Sequence, residues 1–428
     1  MTQFISNAVL CFVPLALLCS LAHGQDIPAV TSAPTYQGFQ LPTVPGTLHY
    51  ALSFSELVRT SYYGTGRDIW GTSISGDAGY LSKSENHPFT MVYSGGYLHN
   101  TGSIASSIFQ SLALSQTYTT SLWNTVLSDS IDYLPESRSS GLSGIPGVGD
   151  VGVTVPPVGG DTGQDILSRT GQRITNKTNL SIQRRLTGST SVQGDGGYSI
   201  QRFLTDTINA LNSQEISVQG GVNHRIDALS QAEGDYSYGH FSYVGQDFTF
   251  SMQKFTVGYN RQLNRKLGVH ATVGPQFVSS SGSPLASSSV NVSIDAGVAY
   301  EAQHYDFSIA YTRGVRAGSG VIAGSFVDSV SAEGGRRLGE YMHITGDASY
   351  THSSSLENLT THPLDFQTVR GNVQVSRTVS RDFNVYVSYS LQDQQSSSLL
   401  DTTAAFTGTS QTFGFGISYS PRQLHLGH

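Results

Sequence analysis

The sequence predicts an all-β chain, a transmembrane antiparallel up-and-down β-barrel of about 18 strands, with 16 as the alternative count. Three observations carry this. Apolar and small polar residues alternate in runs of roughly 10–14 residues, the period of a strand with two unlike faces and the length a tilted strand needs to cross hydrocarbon. No segment reads as a second layer that would cover the apolar faces, which leaves lipid as their solvent. The connections alternate between short polar links and long Ser/Gly-rich loops.

Composition agrees. Of 428 residues only 12% are charged and 38% hydrophobic, while Gly (47), Tyr (22) and Phe (19) are plentiful. Lysine occurs only at 83, 177, 254 and 266. Gly, Ser, Thr, Val and Tyr favour turns and pleated surfaces over helices. The net charge of −7, without a basic cluster, gives no reason to expect a nucleic-acid partner.

Residues 1–24 read as a signal peptide: an apolar run from Ala8 to Ala22, broken by Pro14, with Ala22 and Gly24 placed for cleavage before Gln25. Both cysteines, Cys11 and Cys19, lie in it. A mature chain without cysteine suits passage through an oxidising compartment and excludes thiolate chemistry. Residues 25–47, with Pro28, Pro34, Pro42 and Pro45, read as an extended Pro-rich periplasmic lead-in.

The barrel is expected over 48–420. Leu48, Tyr50, Leu52 and Phe54 open the alternation. It continues through Phe89, Met91 and Tyr93, then Ile216, Val218 and Val222, then Leu267–Phe277, Val290–Tyr300 and Tyr305–Tyr311. Phe383–Leu391 and the last strand, with Phe413, Phe415, Ile417 and Tyr419 on one parity, complete it. Short links are expected at Thr187–Ser189, Arg261–Lys266, Ala302–His304, Arg336–Glu340 and Ser380–Asp382. Long loops are expected at Ser279–Ser288, His352–Pro363 and Gln394–Gly408. If the final strand descends to the periplasm, every short link falls on the periplasmic side. Residues 421–428 form a C-terminal tail.

Some segments break the rhythm. Around Lys254 the apolar parity switches from Phe248, Phe250 and Met252 to Phe255, Val257 and Tyr259, which a β-bulge or a strand starting near Met252 would explain. Asp129 shares the parity of Leu127 and Ile131; a carboxylate facing lipid is costly, so a bulge or an interfacial position is expected. Leu204, Ile208 and Leu211 suggest a short helical turn. The 134–173 loop, rich in Gly and Pro, is expected to narrow or plug the lumen.

No motif supports catalysis. Gly147–Gly152 matches a dinucleotide-binding pattern, but Pro156 and Pro157 block the helix that pattern needs. The histidines lack zinc-site spacing, and no G-x-S-x-G is present. No cofactor, metal or catalytic residue is expected. Tyr259, Tyr300, Tyr305, Tyr311, Tyr389 and Tyr419 share parity with aliphatic neighbours and read as interfacial aromatics. Charges on the polar parity are the candidates for lining a pore: Lys177, Asp295, Asp347 and Arg370. Asp150, Asp161 and Asp165 are the candidates on the constriction loop.

The signal peptide, the alternating strands, the short-turn/long-loop rhythm and the aromatic last strand together resemble Gram-negative outer-membrane barrel proteins of the porin type. The resemblance spans roughly residues 48–420 and rests on pattern, not on an invariant motif. It implies a bacterial outer-membrane channel for passive diffusion of small hydrophilic solutes, in contact with outer-membrane lipid. It also implies recognition by the barrel-insertion machinery through the last strand, although Pro421–His428 follows where that family usually ends. A homo-oligomer is left open. The low charge density suggests weak ion selectivity. An export barrel for a secreted polymer and a closed structural or surface-binding barrel are the alternatives.

Overall fold

The computed structural model describes residues 45–425, apart from 61–67, 85–86, 102–105, 135–165, 167–171, 205–209, 246, 283–287, 319, 357–363 and 398–404. The expected signal peptide, nearly all of the lead-in, and Asp150, Asp161 and Asp165 lie outside the described residues, as does half of the expected turn at 204–213, Ile208 included.

The first nine strands are β1 (Thr47–Thr60), β2 (Ile69–Leu81), β3 (Phe89–Asn100), β4 (Ser107–Thr119), β5 (Trp123–Leu134), β6 (Arg173–Arg185), β7 (Thr190–Phe203), β8 (Ser213–Arg225) and β9 (Ser230–Tyr243). Then come β10 (Thr249–Asn264), β11 (Leu267–Ser281), β12 (Ser289–Ala302), β13 (Tyr305–Arg316), β14 (Ser325–Leu338), β15 (Met342–Ser355), β16 (Asp365–Ser380), β17 (Phe383–Ser396), β18 (Gly408–Tyr419) and the two-residue β19 (Leu424–His425). Each of β1–β18 pairs antiparallel with its sequence neighbours, and β1 pairs with β18, so the sheet closes. Closure removes both sheet edges and satisfies every strand's backbone within the wall.

Eighteen full strands settle the count against the alternative of 16. The tail is held: Leu424 and His425 pair with Leu48 and Thr47 at the start of β1. The links fall into two sets, and the short ones share one end of the barrel with both termini of the wall. The β10–β11 link is shorter than expected, because β10 runs on to Asn264 and pairs there across a register shift. At the β8–β9 link Asp227 accepts a hydrogen bond from the Leu229 amide at 2.7 Å, which closes an Asx-type turn.

The alternation resolves into two faces. The outside is a band of exposed apolar side chains, with Ile74 60%, Val257 69%, Val387 62% and Phe415 59% exposed. Away from the long-loop end, much of the inside of β1–β5 is small and polar, including buried Ser53, Ser55, Ser73, Ser75, Ser94 and Ser111. There Ser111 donates to Asp132 at 2.6 Å.

Two expectations about irregular strands are corrected. The β9–β10 register runs unbroken from Thr249 to Arg261, so neither a bulge nor a late start accounts for the parity switch at Lys254. Phe250 and Met252 face inward and are buried, whereas Phe255, Val257 and Tyr259 face outward. The strand is regular; what changes is which face is apolar. Asp129 also sits on a regular strand, near its middle, and faces outward without a bulge. It accepts hydrogen bonds from Thr178 (2.6 Å) and Asn176 (3.1 Å) on β6 instead. Of the tyrosines read as interfacial, Tyr300, Tyr305 and Tyr419 sit at strand ends; Tyr311 and Tyr389 face outward near mid-strand.

Candidate functional site: a lumen roofed by apolar side chains

The lumen has two unlike regions, stacked along the barrel. At the long-loop end, inward positions that are polar elsewhere turn apolar. Phe241, Tyr243, Phe250, Met252 and Val278 from β9–β11 and Phe248 just before β10 form a buried cluster with Val315, Ala317 and Ala323. Phe241 and Phe250 stack with centroids 4.3 Å apart. Leu57, Leu98, Phe109, Phe203, Val327 and Phe366 continue the apolar positions around the wall.

The β13–β14 connection, through residues 317–318 and 320–324, closes over this ring. Gly318, Gly320 and Gly324 adopt φ of 75°, 79° and 84°, a region that side chains with a Cβ rarely enter. A Cβ at Gly320 would collide with the Phe203 ring on β7, and one at Gly324 would lie 2.8 Å from Phe250 Cε1. Glycine is what allows this backbone to lie on aromatic rings. Three further bonds fasten the segment: Tyr243 donates to the Ala317 carbonyl (3.1 Å), the Leu211 amide to Gly320 (2.7 Å), and the Leu356 amide to Gly324 (3.1 Å). Ile322 belongs to a second buried cluster with Ile166, Leu364, Phe366 and Ala405. In the strand order β7 and β16 stand half the circle apart. One short segment thus ties together opposite walls of the mouth.

Towards the short-link end the lumen is polar and rich in carboxylates. Asp195, Glu233, Asp235, Asp295, Glu333 and Asp347 face inward on β7, β9, β12, β14 and β15. Each is held by neutral donors or an imidazole. Asp235 accepts from Gln193 (3.0 Å) and Gln219 (3.3 Å). Glu233 accepts from Thr272 (3.1 Å) and Asn260 (3.3 Å). Glu333 accepts from Ser308 (2.9 Å) and Asp347 from Asn372 (2.9 Å). Asp295 lies 2.8 Å from His270 and is 56% exposed to the lumen. Glu333 and Asp347 are directly opposite each other across strands, an arrangement that raises the local negative potential. Lys177, Lys254 and Arg370 also face inward, but further from the short-link ends of their strands than these carboxylates. At the short-link rim both signs occur, with Arg185, Glu301, Asp306 and Arg337.

All four pore-lining candidates, Lys177, Asp295, Asp347 and Arg370, therefore occupy inward registers, spread over four strands rather than gathered at one point. From the 134–173 loop Ile166 is 1% exposed within the second apolar cluster, and the Gln172 carbonyl accepts from the Leu204 amide at 2.7 Å. Sequence reasoning missed the 317–324 segment. Its signal was an apolar Val321-Ile322-Ala323 run between glycines, unlike the Ser/Thr-rich loops around it. It also missed Asp195, Glu233, Asp235 and Glu333, which share parity with small or polar residues and stand out only once strands are paired.

No family model matches the chain, and no curated protein does. Several solved structures share its general outline. OccK2 (OpdF) of Pseudomonas aeruginosa is 12% identical, with 89% of this chain and 98% of that chain covered and a TM-score of 0.45. OpdL of Pseudomonas aeruginosa is 10% identical, with 88% and 99% covered and a TM-score of 0.43. The outer membrane protein OprD from Pseudomonas aeruginosa is 11% identical, with 92% and 98% covered and a TM-score of 0.43. At these values the likeness carries no argument about what this chain does.

Proposed function

We propose that the chain is a channel of the bacterial outer membrane through which small hydrophilic solutes diffuse passively, cations in preference to anions. The observation that carries this reading is the contrast across one closed wall of 18 strands. The outside is largely exposed and apolar, as lipid requires; the inside bears serines, amides and carboxylates, as a wetted path requires. Barrels of this strand number enclose more space than side chains alone fill. Six carboxylates towards the short-link end attract cations and repel anions before size is tested. The apolar roof at the other end favours a second reading for the resting state, in which the mouth is closed and 317–324 must shift for solutes to pass.

The test is single-channel recording of the detergent-refolded chain in a planar bilayer, under a salt gradient. Discrete steps with a reversal potential on the cation side support the reading. Silence from folded protein that persists after the roof is loosened (Phe250→Ala) would sink the channel and leave a closed structural barrel.

A further inference from the structure

We propose that the outer wall of β14–β18 and β1 holds one diacyl glycerophospholipid with an anionic headgroup, its phosphate on Arg336 and Arg377 and an acyl chain in the hollow beside them. The proposal rests on the membrane-spanning reading above. On these strands the outward residues near mid-strand are apolar, with Val330 and Ala332 on β14, Ala348 on β15 and Val373 on β16, so hydrocarbon is the solvent of this face. Towards the short-link end the outward positions change character. Paired rings occupy them on β12–β13, Tyr300 with Tyr305 at 5.4 Å, and on β17–β18, Phe383 with Tyr419 at 5.0 Å. Between these pairs, β14 and β16 present Arg336 and Arg377, both exposed, with Met342 and Ile344 of β15 separating them.

The outward arginines towards this end are not equivalent. Arg184 lies over the Trp123 ring at 5.0 Å, and Arg261 acts on the Asp227 carboxylate. The guanidinium groups of Arg336 and Arg377 have no acceptor, ring or carboxylate partner among the described residues. Arg336 is the third residue from the end of β14 and Arg377 the fourth from the end of β16. From that depth a long basic side chain runs along apolar wall and brings its charge to the headgroup layer. Arg336 is opposite Ile344 and Arg377 opposite Met342 on the strand between them. Strand spacing and rise then set their Cα atoms about 12 Å apart, a gap two arginines span when both grip one phosphate. The planar guanidinium fork matches phosphate oxygens bidentately.

A second, independent signal adjoins Arg377. A hollow of about 400 Å³ is lined by Val375 and Arg377 on β16, Val385 and Val387 on β17, Phe415 and Ile417 on β18, and Phe54 on β1. Arg377 is the register partner of Val385, and Val375 of Val387. The three valines are shorter than the phenylalanines and Ile417 beside them, which opens an apolar trough next to the guanidinium. Of its outward side chains only Arg377 is polar. Charge and hollow together select the lipid class. Two guanidinium groups take a phosphate, and the trough takes the methylenes of an acyl chain. No outward carboxylate stands on the short-link half of β14–β18 to receive the ammonium of a zwitterionic headgroup, so net negative charge is favoured.

The test is native mass spectrometry of the full chain, inserted into vesicles of equal phosphatidylglycerol and phosphatidylcholine with identical acyl chains and then gently extracted. Protease resistance in the vesicles checks insertion of each variant. The parent should retain phosphatidylglycerol over phosphatidylcholine by roughly 25-fold, about fivefold for each arginine. The double replacement Arg336→Gln with Arg377→Gln should bring that ratio towards one, and Arg184→Gln should leave it unchanged. Val385→Trp, which fills the hollow, should lower retention of both lipids. Equal retention of the two lipids by the inserted parent would overturn the proposal and leave the membrane reading intact. A preference that survives loss of both arginines, or an equal loss in Arg184→Gln, would overturn it in the same way. Failure of the parent to insert at all would overturn the membrane reading with it.

Discussion

Phe250 and Phe255 stand on one unbroken strand and face opposite sides of the wall: Phe250 is 0% exposed inside the roof, and Phe255 is 48% exposed outside. The same side-chain type therefore meets two solvents within one strand. Replacing Phe250 with Ala should empty part of the roof and destabilise the barrel by about 3–5 kcal/mol, the usual range for a buried Phe. It should also enlarge the conductance step. Phe255→Ala should leave conductance unchanged and reduce stability less. Urea unfolding and single-channel recording on both variants check the pair.

Outside the roof, charge is the discriminating probe. Val257, on the outer face near mid-strand, is 69% exposed. Val257→Arg should lose roughly 2–4 kcal/mol of stability in a bilayer, the amount found for Arg at the midplane of a barrel's lipid face. In a soluble sandwich the same change at so exposed a site would be nearly neutral. Folding yield into lipid vesicles separates the two.

The carboxylate tier should set ion preference. Glu333 faces Asp347 across strands, and both point into the lumen. Neutralising both, with Glu333→Gln and Asp347→Asn, should move the reversal potential towards the anion side. Conductance should also become less sensitive to low salt, because screening has less potential to remove. An unchanged reversal potential would place these residues off the solute path.

Gly320 is the position where the closing segment is least tolerant. Its φ is 79°, and any Cβ there meets the Phe203 ring. Gly320→Val should strain the backbone by about 1–3 kcal/mol and push the segment off β7. Longer or more frequent openings in bilayer recordings are expected. Smaller, rarer openings would mean that the segment supports the path instead of covering it.

The β8–β9 link gives a pH signature independent of the lumen. The Leu229 amide, by donating to Asp227, holds that carboxyl below its ordinary value. A depressed folded-state value means the contribution is complete at neutral pH and is lost as pH falls through it. The stability difference between the parent and Asp227→Ala should be constant near neutrality and close only in acid. Thermal unfolding at stepped pH reads this out.

The sequence by itself determined the wall. Side-chain alternation has a period of two in any strand, so runs such as Val290–Tyr300 or Phe413–Tyr419 declare their two faces without reference to neighbours. Link lengths then order the strands, because antiparallel neighbours need only short turns at one end. What a single strand cannot declare is which of its faces is inside. At Phe248–Met252 the apolar parity is the lumen parity, and only pairing with β9 and β11 shows it. Asp129 is the converse: its outward position is tolerable because Thr178 and Asn176, distant in sequence, arrive beside it on the next strand. The roof and the carboxylate tier are likewise products of closure. Each is built from residues on several strands whose proximity exists only once the sheet has curved round to join β18 to β1. Tertiary structure decided these features, because they depend on neighbours across the sheet rather than along the chain.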